Sequence, residues 1–599
     1  MGGLPDIPNE SALSRLFSQK HVQENSLWFS LPGGQTLFFA GDQSDQLFFV
    51  RAGRLGAFRR EPGQEVQFLG VIRPGEPAGE MSLIADAPHS ADVVALRDSE
   101  IIAVPRDIFL EACEADTGVM IELAKLMMLR SRQAATRGGV GEPTVFGFVP
   151  LGPSGALRPL VERISREIAR LDYSVTVLGI EAQAAPTEWF SEVERTHDFV
   201  LYVAETADAG WRNLVARQVD RLFRIGRGDR KPPHVDASNE LVSPLQAQNL
   251  VDLILVHPAE THAPHGSEAW LDLADPARIF HIRRDRLEDV QRIARVLTGQ
   301  SVGLVLSGGG ARAYAHIGAV RALRERGVPI DFVGGVSMGA IVAAGVAMGW
   351  GEEEMDRRIH EAFVDTSPLD DIALPLLAMT HGVKVGERLA HHFGDTHIGD
   401  LWLPFFCLSS NLTTGAYQLH RRGLLRKALR ASISLPGILP PATDDNNVLV
   451  DGAVMKNFPA DVMRAAQLGP IVGVDVTAGR SITADDVARP SSVWRWFWSG
   501  QWRKGPPIVS LLMRAATVST SRDVAAARYA TDLLVLPDVA KVEIRDFSAY
   551  DPAVAEGYRA TIAALDKLTR PVQELRRRLS LDDQKALKAA AAAKAASAG

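Results

Sequence analysis

The sequence predicts a multidomain chain: an N-terminal β-roll, an α/β middle region and a C-terminal α/β domain. Three observations predict it. The chain has 599 residues, too many for a single hydrophobic core. Short apolar runs broken by turn residues fill the first hundred positions. From about residue 144 onward, strand-like apolar runs alternate with helical stretches, the pattern of sheets covered by helices.

In the first region, 1–137, the runs are Phe38-Phe39, Leu47–Val50, Gln67–Val71 and Ile101–Val104. Gly41-Asp42, Gly53, Gly63 and Pro74-Gly75 separate them. This spacing predicts a small barrel or jelly roll over 29–104, then helix over 107–131. Residues 137–143 form a linker by composition. The middle region, 144–298, offers strands at Val145–Val149, Ser174–Leu178, Phe199–Val203 and Leu253–Val256, with helix between them as at Leu157–Leu171. Its first strand leads into Leu151–Gly155, where a phosphate loop would sit. That loop lacks the Gly-Lys-Ser/Thr ending of a P-loop and reads as a structural turn. The third region has a core over 300–480 and an extension over 481–580. Its strands are Gly303–Leu306, Phe332-Val333, Phe405–Leu408, Val448–Val450, Ile471–Val476 and Leu533–Leu536. The Ala/Lys-rich tail, 581–599, reads as frayed helix or disorder, with no chemistry of its own.

Composition excludes several classes. The formal net charge of -7 gives no basic footprint for nucleic acid. Two cysteines, Cys113 and Cys407, make no disulfide framework and suit a reducing cytoplasm. The N-terminus lacks a secretory pattern, and no run of about 18 apolar residues is present. Membrane contact is therefore expected to be peripheral, on the inner face. His391, His392 and His397 lie among scattered carboxylates without metal-ligand spacing, so neither metal nor cofactor is expected.

The chemistry is in the third region. Gly308, Gly309 and Gly310 follow a strand and precede a helix. Without side chains, their N–H groups can turn inward and hold negative charge. A pyrophosphate and a developing oxyanion would both satisfy such a loop. The next segment discriminates. A second strand ends in Gly335-Val336-Ser337-Met338-Gly339, followed by the helix Ala340–Met348. This is G-x-S-x-G in its required context, a tight turn that exposes a serine hydroxyl. Gly308-x-Gly310-x-x-Ala313 also fits a dinucleotide fingerprint, with Asp331 about twenty residues on. But Asp331 stands before its strand, and a serine occupies the place of the ribose acid. A serine nucleophile needs a base. Asp451 ends an apolar strand on the same sheet edge as Ser337. No histidine follows it, so the Ser–acid–His order of α/β hydrolases cannot be completed and an aspartate acting directly on the serine remains.

Gly308–Arg312, Gly335–Gly339 and Asp451-Gly452-Ala453 resemble the three signature blocks of patatin-like phospholipases, in order and at compatible spacing. Ala313 departs from the glycine frequent there. The resemblance implies a Ser337–Asp451 dyad and an oxyanion hole from Gly308, Gly309 and Gly310, with Arg312 close by. Residues 29–104 resemble a cyclic-nucleotide-binding domain through Gly41-Asp42, Leu47–Val50, Gly53, Pro74–Glu76, Gly79–Leu83 and Pro88–Ala91. Gly79 and Glu80 fit the ribose part of that candidate pocket. His89 stands where the phosphate-binding arginine belongs, and a neutral imidazole does not replace a bidentate guanidinium. The substitution argues against cyclic-nucleotide binding.

The two domains together resemble the neuropathy target esterase branch, which implies an esterase acting on phospholipids or lysophospholipids. The alternative is a catalytically idle sensor or scaffold regulated by its N-terminal domain. Trp494, Trp496 and Trp498 lie beside Arg495, Arg503 and Lys504, a composition that suits a bilayer interface as well as a core.

Overall fold

Gly53 turns the chain at φ 89° between the strands Gln46–Ala52 and Leu55–Arg59. A Cβ there would meet the Ser99 hydroxyl at 2.3 Å and the Asp98 carbonyl at 2.5 Å, so only glycine closes this turn. The computed structural model describes residues 16–598 apart from 18, 61–66, 136–142, 153–156, 206–207, 234–249, 366–370, 372, 374–377, 478–520 and 545. The N-terminal region is the expected β-roll, two four-stranded antiparallel sheets. Between them lie Leu31, Phe38, Val50, Leu55, Ile72, Val93 and Ile101. The helix expected over 107–131 is two helices, Arg106–Ala115 and Thr117–Ala135. Asp116 breaks them, because its carboxylate takes the Gly118 N–H at 2.9 Å in place of a helical bond.

The middle region is a six-stranded sheet in the order Val175–Leu178, Phe199–Val203, Val145–Pro150, Arg221–Arg227, Val251–His257, Arg278–Arg283. Two of these strands are absent from the sequence reading, since arginines interrupt their apolar runs. Asp252 makes the interruption tolerable. Buried between Arg221 at 2.5 Å and Arg278 at 2.6 Å, its carboxyl is held down at about 2. Of the turn at Leu151–Gly155, only residues 151–152 are described.

The chain divides into two compact units. One comprises Met1–Val256, Ala274–Ile279 and Leu579–Gly599; the other comprises His257–Leu273 and Phe280–Arg578. Within the first unit the β-roll and the middle sheet share a core. Phe58, Val94 and Leu96 of the roll pack with Val145, Phe190, Tyr202 and Trp211. Beside that core, buried Arg54 pairs with buried Asp220, and buried Arg97 forks onto Glu194 at 2.7 and 2.8 Å. Neither arginine could be left unpaired there without a large penalty. The tail, read as frayed or disordered, forms a helix over Leu581–Ala598, and Asp198 accepts the Leu581 N–H at 2.7 Å.

The second unit holds the sheet of the candidate site. Its strands are β1 (Gly303–Leu306), β2 (Phe332–Val336), β3 (Phe405–Asn411), β4 (Ala416–His420), β5 (Ala442–Asp444), β6 (Asn447–Asp451), β7 (Ile471–Val474) and β8 (Leu533–Val535). They run in the order β5-β6-β3-β2-β1-β7-β8, with β4 against the other side of β3. β8, β7, β1, β2 and β3 are parallel. Three helices matter for the site: α1 (Ala315–Glu325), α2 (Met338–Ala347) and α3 (Leu425–Ser432). α2 is buried along its whole length, as its run of Ala, Val, Ile and Gly requires.

Candidate active site

Register brings the two residues of interest together. On one side of β3, Val336 of β2 pairs with Leu408, and Asp451 of β6 pairs with Ser409, the next residue along. β4 occupies the other side, opposite the same Ser409. β6 therefore takes over the edge of β3 where β2 stops, and Ser337 emerges facing Asp451. The Ser337 hydroxyl donates to Asp451 Oδ2 at 2.6 Å.

Ser337 sits at φ 54°, ψ −131°, a left-handed conformation that a non-glycine residue adopts only under strain. Its neighbours explain how the turn fits. A Cβ on Gly335 would lie 2.7 Å from the Gly339 backbone, and one on Gly339 would lie 2.4 Å from the Ser307 carbonyl. The two outer glycines of G-x-S-x-G are thus steric requirements of the turn. Ser432, at the end of α3, accepts the Ser337 N–H on its hydroxyl at 3.0 Å. Ser337 is 9% exposed and Asp451 1%. Burial pushes the Asp451 carboxyl up to about 6, against the opposing hydrogen bonds from the Ser337 hydroxyl and the Ala453 N–H. Ser410 fixes its backbone by donating to the Asp451 carbonyl at 2.9 Å.

The three-glycine loop lies beside this pair. A Cβ on Gly308 would come 3.2 Å from that of Ser337. The Gly308 N–H is taken by Asn457 Oδ1 at 3.1 Å. Among the described residues the N–H groups of Gly309 and Gly310 donate to nothing. Gly310 has φ 57°, and the Ile544 carbonyl would sit 2.2 Å from any Cβ it carried. The same carbonyl accepts the Ala311 N–H at 2.8 Å. Arg312 is buried and its Nε donates to the Val542 carbonyl at 2.7 Å. Sequence reasoning missed Asn457, Ser432, Ser410 and the 542–544 segment.

The histidines have other roles here. His316 is fully buried and donates from Nε2 to the Ser307 carbonyl at 2.8 Å; burial lowers it to about 4. His420 meets the Ser409 hydroxyl at 2.8 Å and is also lowered by burial to about 4. Asp331 is tied to Arg295 at 2.6 Å and to the Val302 N–H at 3.0 Å, which accounts for it at the base of β2. Glu361, His391 and His392 bring ligand atoms within 4.8 Å of one another. Arg357 donates to Glu361 at 3.0 Å and Arg358 to the His392 carbonyl at 2.8 Å, so cationic side chains already surround that group. Trp494, Trp496 and Trp498 lie outside the described residues. Among those described, no helix is long and apolar enough to cross a membrane.

Comparison with known proteins follows the same division. Residues 304–464 match the patatin-like phospholipase family, 28–116 the cyclic nucleotide-binding domain, and 174–283 the Neuropathy Target Esterase family P-loop like domain. An uncharacterised NTE family protein of Mycobacterium tuberculosis is 31% identical over 94% of both chains. The chain belongs to the neuropathy target esterase family. Two further relatives are longer than this chain. The neuropathy target esterase sws of Drosophila melanogaster is 26% identical over 89% of this chain and 42% of its own length. A lysophospholipase of Mycosarcoma maydis is 25% identical over 91% of this chain and 34% of its own.

The N-terminal roll is of the cyclic-nucleotide-binding type, and its residues show how the pocket is built. His89 is buried and stacks flat on Phe38, ring centroids 3.7 Å apart. Its Cε1 would lie 3.0 Å from a Cβ on Gly79, which has φ 86°. Burial lowers the His89 imidazole, with Asp42 opposing, so the ring is neutral at pH 7. Arg97 is committed to Glu194 and cannot serve as the phosphate ligand. Cyclic AMP and cyclic GMP are therefore expected to bind the full chain no tighter than the millimolar range, and His89→Arg to tighten binding. Calorimetry on the full chain checks this; micromolar affinity of the unmodified protein would contradict it.

Proposed function

We propose that the protein is a serine esterase that hydrolyses the carboxyl-ester bonds of phospholipids or lysophospholipids. Ser337 is the nucleophile, Asp451 the base, and the Gly308–Gly310 loop, buttressed by Arg312, the oxyanion hole. The 2.6 Å hydrogen bond from a serine on a strained elbow to a buried carboxylate carries this reading. The relatives named for esterase and lysophospholipase activity support the substrate class.

The steps balance with these groups alone. Ser337 Oγ attacks the ester carbonyl as its proton passes to Asp451 Oδ2. The carbonyl oxygen becomes an oxyanion and accepts hydrogen bonds from the Gly309 and Gly310 N–H groups. The intermediate collapses, and the leaving alcohol takes the proton from Asp451. Water, deprotonated by Asp451, then attacks the acyl-enzyme; as the bond to Ser337 Oγ breaks, Asp451 returns the proton to that oxygen and the fatty acid departs. The substrate resides in lipid aggregates, so the enzyme works peripherally at a membrane surface, from the cytoplasmic side.

The base must be ionised to act. Asp451 lies near 6, so turnover is expected to fall as pH drops below about 6. A buried histidine base such as His316 would place that limb near 4. Fatty acid release from a lysophosphatidylcholine by the full chain, measured from pH 4 to 8, tests both substrate and base. Absence of turnover, or a limb near 4, counts against the proposal.

A further inference from the structure

Gly308 has no N–H to offer an oxyanion, because Asn457 holds the two peptide groups on either side of its Cα. Asn457 Oδ1 accepts the Gly308 N–H at 3.1 Å, and Asn457 Nδ2 donates to the Gly308 carbonyl at 3.4 Å. The Asn457 backbone carbonyl lies 3.4 Å from the same N–H. The second of these groups carries the Gly309 N–H, so the bond to the Gly308 carbonyl opposes its rotation. The clasp fits closely: the Asn457 amide oxygen lies 2.5 Å from where a Gly308 Cβ would stand, so neither partner tolerates a bulkier neighbour.

The next peptides behave differently. Gly309 lies at φ −179°, ψ 9° and Gly310 is left-handed, and their N–H groups have no partner among the described residues. The far end of the loop is held again, by Ile544 on the Ala311 N–H and by Val542 on Arg312. Two fixed ends thus flank two open amides, directly beside Ser337. An oxyanion hole needs donors preorganised before charge develops, because reorganising them during the reaction costs rate. The clasp also links the loop to the base. Asn457 ends the turn that begins at Asp451, and that turn is closed by the Lys456 N–H on the Gly452 carbonyl at 2.9 Å and the Met455 N–H on Ser410 Oγ at 3.1 Å.

We propose that Asn457 is a positioning residue: it locks the two peptide groups flanking Gly308 so that the Gly309 and Gly310 amides point at the developing oxyanion, and it ties that aim to the position of Asp451. The inference rests on the esterase reading above and adds to it the residue that sets the hole.

The test uses the full chain with a soluble short-chain ester and a trifluoromethyl ketone, whose hemiketal oxyanion occupies the hole. Asn457→Ala is expected to lower kcat by about 10–100-fold, less than or equal to the usual loss of one oxyanion donor, with KM within about threefold. The inhibition constant of the ketone should rise in step with the loss in kcat/KM. Asn457→Asp keeps an acceptor for the Gly308 N–H and loses the donor to its carbonyl. It should fall between wild type and Asn457→Ala in ketone affinity, and its added carboxylate should move the acid limb to higher pH. If Asn457→Ala fails to fold, Asn457→Asp decides by those two readouts. Either variant keeping wild-type kcat and ketone affinity overturns the role of Asn457. Wild type that neither turns over ester nor binds the ketone overturns the esterase reading itself, and this role with it.

Discussion

Ser337→Ala is expected to reduce ester hydrolysis by the full chain to background, with the fold unchanged. Among the described residues, the hydroxyl that donates to the Asp451 carboxylate is that of Ser337, delivered by β2. The substitution removes a single oxygen from a residue that is 9% exposed and deletes its hydrogen bond to Asp451. A loss of several orders of magnitude is the usual consequence of deleting a nucleophile. Alanine keeps the backbone bond from residue 337 to Ser432, so the elbow should survive. Initial rates on lysophosphatidylcholine and a thermal melt check both parts. Residual activity above a few per cent, after purification from contaminating esterases, would remove Ser337 from the mechanism.

Asp451→Asn should be nearly as damaging, and the double mutant little worse than either single one, since the two side chains act as a unit. The same substitution should stabilise the protein, and the sign follows from the protonation equilibrium. Burial raises the folded carboxyl from 3.8 to about 6, so between these values the folded state holds the proton more tightly than the unfolded chain. Stability from this group is complete below pH 4 and is lost as pH rises through 6. At pH 8 the ionised, buried carboxylate costs roughly 2–3 kcal/mol, a cost that asparagine does not carry. Asp451→Asn is therefore expected to melt at a higher temperature than wild type at pH 8, with the gap closing towards pH 4. Equal melting at both pH values would mean that the carboxylate is better solvated than its 1% exposure suggests. Histidine substitutions away from the dyad should leave turnover largely intact; silencing by one of them, with Asp451→Asn still active, would replace the dyad by a triad.

Much of the architecture was legible because its strands are apolar runs bounded by turns. Phe199–Val203 and Gly303–Leu306 coincide with the strands expected. Arg221–Arg227 and Arg278–Arg283 were invisible because their arginines find a carboxylate, Asp252, on the strand between them, and no local pattern announces such a partner. β4 and β5 are short and polar and pair only at the edge. At the site, short motifs named Ser337, Asp451 and the glycines, since each motif is a local solution to a backbone problem. Asn457 was not named, although it stands six residues past Asp451, because its partner Gly308 lies far away in sequence. The hold of Val542 and Ile544 on the loop spans more than two hundred residues, which no sequence window covers. The sharing of one core by the β-roll and the middle sheet was hidden for the same reason: Phe58, Val94 and Leu96 read as ordinary strand residues until their neighbours are known.

The most direct test of the Ser337–Asp451 pair is covalent. A fluorophosphonate reacts only with a serine that a base activates, and it reports the site without any assumption about lipid preference. The full chain, treated at pH 8 and digested, is expected to carry one phosphonate adduct, on the peptide containing Ser337, and Asp451→Asn should carry almost none in the same time. An adduct on another serine, or equal labelling of Ser337 in Asp451→Asn, would contradict the account.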